Sequence, residues 1–168
     1  HELLCRVESF VRDKGLSFSF PPIIASGVRS AYPHAQVTKN RISATRPLLI
    51  DMGIACNGYK SDLTRIFFLG KIAPHIREVY VAVREAQNRA IQAIKPGVRA
   101  CDVDRLARNC LKKRKLDAYF NHSLGHGIGR EVHESPILSS RNTQRLKAGM
   151  VCTVEPGVYI PGEFGIRI

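Results

Sequence analysis

The order of signals along the chain predicts an α+β fold: strand-like runs, then two helical stretches in succession, then strand-like runs again. Three observations carry this. Asn57-Gly58 lies between two apolar-rich runs, and both residues tolerate positive φ, which makes the pair a strong hairpin cue. Residues 74–94 and 101–115 repeat apolar side chains at helical spacing. The last third is rich in Gly and His and breaks into short β-like pieces. The 168 residues suit one domain.

Residues 1–14 read as an amphipathic helix through Leu3, Leu4, Val7, Phe10 and Val11, expected to begin before His1 and stopped by Gly15. Residues 16–25 read as strand and turn, broken by Pro21-Pro22, and a polar loop over 26–47 carries Tyr32-Pro33-His34. Strands over 48–56 and 59–69 flank Asn57-Gly58. Pro74 suits the first turn of a helix whose stripe is Ile76, Val79, Tyr80, Val83, Ala86, Ala90 and Ile94, ended by Lys95-Pro96-Gly97. The second helix uses Val103, Leu106, Ala107, Cys110 and Leu111. Its tail, Lys112-Lys113-Arg114-Lys115, sets cations at the negative end of the helix dipole. Strand pieces follow over 123–132, 149–155, 158–160 and 165–168. Tyr119 and Phe120 are expected in the core, and His75 at the surface.

Composition excludes several classes. No apolar run approaches the roughly 20 residues of a membrane helix. Five cysteines, odd in number, widely spaced and without CxxC, argue against a disulfide scaffold and a thiolate zinc site, and favour a reducing, cytoplasmic compartment. No signal segment opens the sequence. Twenty-six Lys and Arg against 14 Asp and Glu give net +12, which permits a nucleic-acid partner. The Lys112–Lys115 run reads instead as a solvated helix end, and no nucleic acid is expected.

The chemistry begins in the hairpin. With Asn57-Gly58 as its turn, Cys56 faces Tyr59 and Gly53 faces Asp62. Asp51 then shares a face with Asp62, as a diagonal neighbour roughly 7–8 Å away. Two such carboxylates need a cation between them, or one must hold a proton. Gly53, between them on that face, is expected to leave open space. Further along, glycines surround His126, His133 follows, and Glu155 lies in an otherwise apolar strand where an ionised carboxylate is costly unless paired. Asp, Asp, His and Glu form a hard ligand set suited to Mn, Co, Zn or Fe.

These motifs carry a resemblance: Asp51-x-Gly53, Gly58-Tyr59-x-Ser61-Asp62-x-Thr64-Arg65, Gly125-His126-Gly127-x-Gly129-x3-His133-Glu134, Glu155-Pro156-Gly157-x-Tyr159 and Gly165-x-Arg167-Ile168. Together, over about residues 18–168, they resemble the pita-bread (creatinase/aminopeptidase-like) metallopeptidases. The wording is closest to the Xaa-Pro aminopeptidase and Xaa-Pro dipeptidase (prolidase) branch. The resemblance implies a curved antiparallel sheet with helices on its outer face. It implies a metal-dependent exopeptidase that hydrolyses the N-terminal Xaa-Pro bond through a metal-bridging hydroxide. Asp51, Asp62, His126 and Glu155 would ligate two divalent ions (Mn, Co or Zn), with Glu155 also shuttling protons. His34 and His133 would act in catalysis and hold the substrate, helped by His122 and Arg167, with Tyr59 behind the ligands. The substrate would carry proline at its second position, and the chain would form a homodimer.

The resemblance also implies a fifth ligand, a Glu directly after the Arg-Ile matched by Arg167-Ile168, where this sequence ends. Residues 1–168 are therefore expected to be one incomplete catalytic domain, clipped at both ends, that holds one ion or none by itself. Two other readings stand beside this one: a methionine aminopeptidase, which shares the metal positions, and a non-catalytic pita-bread binding module, which would have no need of buried carboxylates. The coding sequence beyond Ile168 checks the ligand count: a Glu at the next position completes the set, and a stop codon leaves it one short.

Overall fold

The turn forms as expected, with Asn57 and Gly58 at φ 51° and 80°. The computed structural model describes all 168 residues. Helix α1 (Glu2–Asp13) ends at Gly15, which takes φ 66°. Strands β1 (Ser17–Phe18) and β2 (Ile23–Ser26) flank Pro21-Pro22, and a 3-10 turn covers Gly27–Ala31.

The hairpin is not two unbroken strands. It comprises β3 (Leu48–Met52), β4 (Ile54–Cys56), β5 (Tyr59–Lys60) and β6 (Leu63–Phe67). Its outer half pairs with β1 in the sheet β1-β4-β5, and its inner half with β2 in the sheet β2-β3-β6, all antiparallel. The register is that of a two-residue turn throughout: Cys56 faces Tyr59, Met52 faces Leu63 and Asp51 faces Thr64. Gly53 therefore falls opposite Asp62, at the break itself. There the Ser61 hydroxyl accepts the Ile54 N–H at 2.8 Å, and the Gly53 carbonyl accepts the Ser19 N–H at 2.8 Å. The space beside Gly53 is not open. A Cβ there would lie 1.7 Å from the Ser61 carbonyl oxygen, so glycine permits the two backbones to touch where the ribbon bends.

Helices α2 (Pro74–Ala93) and α3 (Ala100–Lys112) pack against each other through the predicted stripes. Ile76, Val79, Val83, Ala86 and Ala90 are buried on α2, and Val103, Ala107, Cys110 and Leu111 on α3. Behind them lie β7 (Gly125–Gly127), β8 (Glu134–Leu138), β9 (Gly157–Ile160) and β10 (Phe164–Arg167), where β7 pairs with β8 and β9 with β10. Leu124, Leu138, Val158, Phe164 and Ile166 complete one core with both helices. Phe120 joins that core, whereas Tyr119 is 38% exposed, against expectation. All five cysteines are free, and no helix is long and apolar enough to cross a membrane.

One expected strand fails to form and one unexpected strand forms, each for an identifiable reason. Residues 149–155 form no strand beyond a single bridge, Cys152 to Gly127. The Thr153 hydroxyl takes the His126 N–H at 3.0 Å, a bond a regular ladder would give to a main-chain carbonyl. Glu155 thus stands on an extended segment rather than in a strand, its N–H held by the Leu124 carbonyl at 2.8 Å. Conversely, Pro136 hides β8, because proline argues against a central strand; β8 sits at a sheet edge, where proline is tolerated.

The close contact at the bend yields a prediction. Gly53→Ala forces the Ser61 carbonyl away and costs about 1–3 kcal/mol, the range for overpacking. Urea denaturation checks it: the midpoint falls, and by more than for Lys39→Ala, a substitution of an exposed loop side chain.

Candidate active site

One cleft of about 1190 Å³ is lined by every side chain expected to act in catalysis, metal binding or substrate binding: His34, Asp51, Asp62, His122, His126, His133, Glu155 and Arg167. Distant regions of the chain supply them. Asp51 comes from β3, Asp62 from the hairpin bend, His126 from β7, Glu155 from the extended segment beside β7, and Arg167 from β10. His34 and His133 are exposed loop residues at the same cleft. Apolar side chains, among them Phe18, Phe20, Ile23, Val132 and Ile137, line the remainder.

Asp62, His126 and Glu155 converge so that one ligand atom of each lies within 4.8 Å of the others. His126 Nε2 is 3.4 Å from Asp62 Oδ2 and 3.0 Å from Glu155 Oε1. Its Nδ1 meets the Gly127 carbonyl at 3.1 Å, which fixes that nitrogen as the donor and leaves Nε2 aimed at the carboxylates. Burial opposes charge on His126, but hydrogen bonds to Asp62 and Glu155 outweigh it and raise its pKa to about 10. Burial likewise works against ionised Glu155, yet bonds from His126 and the Thr153 hydroxyl, the latter at 2.8 Å, hold its pKa below the ordinary range.

Asp51 stands apart from that trio. Its Oδ2 accepts Arg167 Nη2 at 2.5 Å, whereas its Oδ1 is buried with no partner. Burial pushes its pKa up; Arg167 pulls it down, and the charges of Asp62 and Glu155 push it up again, to about 6. Arg167 also donates to the Thr64 hydroxyl at 3.0 Å, the Pro33 carbonyl at 3.1 Å and the Tyr159 hydroxyl at 3.0 Å. Tyr159 in turn bonds His122 Nε2 at 2.9 Å. Burial lowers the His122 pKa, so a neutral ring is favoured there. His133 packs edge-on against His126 with ring centres 4.3 Å apart. The hairpin tip reaches this wall too, since the Lys60 N–H bonds the Gly129 carbonyl at 2.7 Å.

A divalent cation fits this donor set. Three carboxylates are hard ligands and an imidazole a borderline one, and the orphaned Asp51 Oδ1 is a buried acceptor still in need of a positive partner. The proton on His126 occupies the direction a metal would take.

The family model for metallopeptidase family M24 matches residues 1–168. The chain belongs to metallopeptidase family M24. A curated Xaa-Pro dipeptidase of Pyrococcus furiosus is 44% identical over 168 residues, 99% of this chain and 48% of that protein. The solved prolidase of Pyrococcus furiosus superposes with TM-score 0.96 at 44% identity, over 99% of this chain and 50% of that one. A solved X-Pro aminopeptidase from Thermotoga maritima gives TM-score 0.96 at 40% identity, over 99% of this chain and 48% of that one. This M24 chain shares their pita-bread fold and spans about half the length of the relatives it matches.

Some features of the site escape a reading of the sequence. Tyr159 lies in a motif that suggests no role for it; it is buried, and a buried phenol needs a partner, which is the signal that could have linked it to Arg167. Thr153 sits two residues before Glu155, a spacing that puts both on one side of an extended chain. Tyr59, expected behind the ligands, is 64% exposed at the hairpin tip and touches none of them, because the turn projects it into solvent.

The His126 cation carries a pH prediction for the metal-free M24 chain. A histidine whose pKa is raised on folding stabilises fully below its unfolded value of 6.5, and that stability is lost as pH rises through about 10. Chelator-treated protein therefore melts at falling temperature between neutral and alkaline pH. Circular-dichroism melts of His126→Gln show a flatter dependence over that range.

Proposed function

We propose that this chain carries the catalytic site of a metal-dependent exopeptidase that hydrolyses the N-terminal Xaa-Pro bond of peptides. The observation that supports it most is the convergence of Asp62, His126 and Glu155 in a cleft that Asp51, His34, His133 and Arg167 also line. The Xaa-Pro names of its M24 relatives support the bond specificity. In this reading residues 1–168 are one incomplete catalytic domain of a cytoplasmic homodimer, and nucleic acid is not a partner.

Asp51, Asp62, His126 and Glu155 would hold the divalent ions, Mn, Co or Zn. Bound there, such ions supply Lewis acidity, polarising a peptide carbonyl and making water acidic near neutral pH. The chain's own residues do the rest. Glu155 accepts the proton of the attacking water and delivers it to the leaving proline nitrogen. His34 and His133, both open to the cleft, donate hydrogen bonds to the oxyanion of the tetrahedral intermediate. Arg167 holds Asp51 in place, and His122 steadies Arg167 through Tyr159. The apolar wall of Phe18, Phe20 and Val132 accommodates the proline ring and excludes water from it.

Hydrolysis assays on the protein expressed in full, with Mn or Co added, test this reading. Xaa-Pro dipeptides and longer Xaa-Pro peptides are cleaved, and Met-Ala peptides are not; the opposite preference points to a methionine aminopeptidase. Glu155→Gln lowers kcat by about 10²–10⁴-fold, as expected for a lost acid–base group. His133→Ala lowers it by about 10²–10³-fold, as for a lost oxyanion donor. Failure to cleave either class with metal bound would leave only a binding module.

A further inference from the structure

We propose that the Asp104–Arg108 pair of α3, a buried carboxylate and a half-buried guanidinium, is a positioning device for the cleft: it holds residues 120–124, from which His122, His126 and Glu155 take their places. The proposal rests on the metal-site reading of that cleft. Neither residue lines the cleft or touches the ligands.

Asp104 is fully buried, and Arg108 answers it one helical turn later, with Nε to Oδ2 at 2.7 Å and Nη2 to Oδ1 at 3.2 Å. The same guanidinium reaches off the helix. Nη1 donates to the Phe120 carbonyl at 2.8 Å and Nη2 to the His122 carbonyl at 2.6 Å, while Cζ lies 4.3 Å from the centre of the Phe120 ring. Asp104 Oδ1 also accepts the Leu124 N–H at 3.3 Å. Every second residue from 120 to 124 is thus gripped by this one pair. The other ion pairs on α3, Arg99 and Arg105 to Asp102, are exposed and their side chains bond only one another.

The grip is transmitted at once. The Leu124 carbonyl accepts the Glu155 N–H at 2.8 Å, and His126 follows two residues on. On the other side, His122 reaches Arg167 and Asp51 through Tyr159. Stability does not require such a pair, since a buried ion pair is often replaceable by packed apolar side chains without loss. What apolar side chains cannot supply is a rigid planar fork serving two carbonyls and a carboxylate at fixed angles; lysine cannot supply it either.

The test compares Arg108→Lys, the double variant Asp104→Leu with Arg108→Met, and Arg99→Met in the protein expressed in full. The measurements are melting temperature, Co²⁺ affinity by calorimetry, and amide exchange at Leu124 and Glu155. Arg108→Lys keeps the charge and the double variant removes both charges together, so both keep a cooperative melt. Both weaken Co²⁺ binding by about tenfold or more, the usual effect of losing support behind metal ligands, and speed exchange at both amides. Arg99→Met changes neither. Wild-type Co²⁺ affinity and wild-type exchange in Arg108→Lys and the double variant would overturn the proposal. If the wild-type protein binds no Co²⁺, the metal reading itself fails, and the exchange rates alone decide the role of the pair.

Discussion

Three carboxylates share one cleft, and burying them together is costly unless positive charge meets them there or one of them holds a proton. Burial raises the pKa of Asp51 to about 6 against the pull of Arg167, and the charges of Asp62 and Glu155 add to the rise. Arg167 answers Asp51, and protonated His126 answers the other two. These compensating cations come from β10 and β7, far in sequence from β3 and the hairpin bend. The strands must therefore close on one another before the charges balance. The site is as much a constraint on the fold as a product of it.

The residues that do not touch the cleft follow from that constraint. The α2–α3 layer gives β7 to β10 a fixed backing, through Leu124, Leu138, Val158 and Ile166. Gln87 on α2 donates to the Val154 carbonyl at 3.0 Å, beside Glu155, and to the Ile168 carbonyl at 2.8 Å, beside Arg167. One amide thus fastens the segments bearing an acid and a base. Elsewhere Arg89, Arg99, Arg105 and Arg114 form surface pairs, which contribute little.

Much of this was legible in the sequence, and the reason differs by element. The α2 and α3 stripes were plain because burial against one partner leaves a clear 3.6-residue period. The hairpin register was plain because Asn57-Gly58 admits one turn geometry, and register alone places Asp51 beside Asp62. The bend at Gly53 was invisible, since a glycine that makes room and one that permits backbone contact look alike in a sequence. Residues 149–155 misled because a run of apolar, β-favouring side chains signals extended chain, whereas a strand also needs a ladder, and Thr153 interrupts it. Tyr159 and the reach of the Asp104–Arg108 pair escaped because the Arg167 guanidinium, the His122 ring and the Phe120 and His122 carbonyls come near only in the finished fold.

The bent hairpin has one more consequence. Its bend carries Asp62, and two residues earlier, toward the tip, the Lys60 N–H is bonded to Gly129, four residues before His133. A single ribbon therefore spans the cleft from its acidic floor to its histidine wall, and its length in residues sets the gap between them. Lengthening or shortening both strands of the ribbon by two residues would rescale the cleft while keeping the register and the faces of its side chains. The hairpin acts as the gauge to which the space for a substrate is cut.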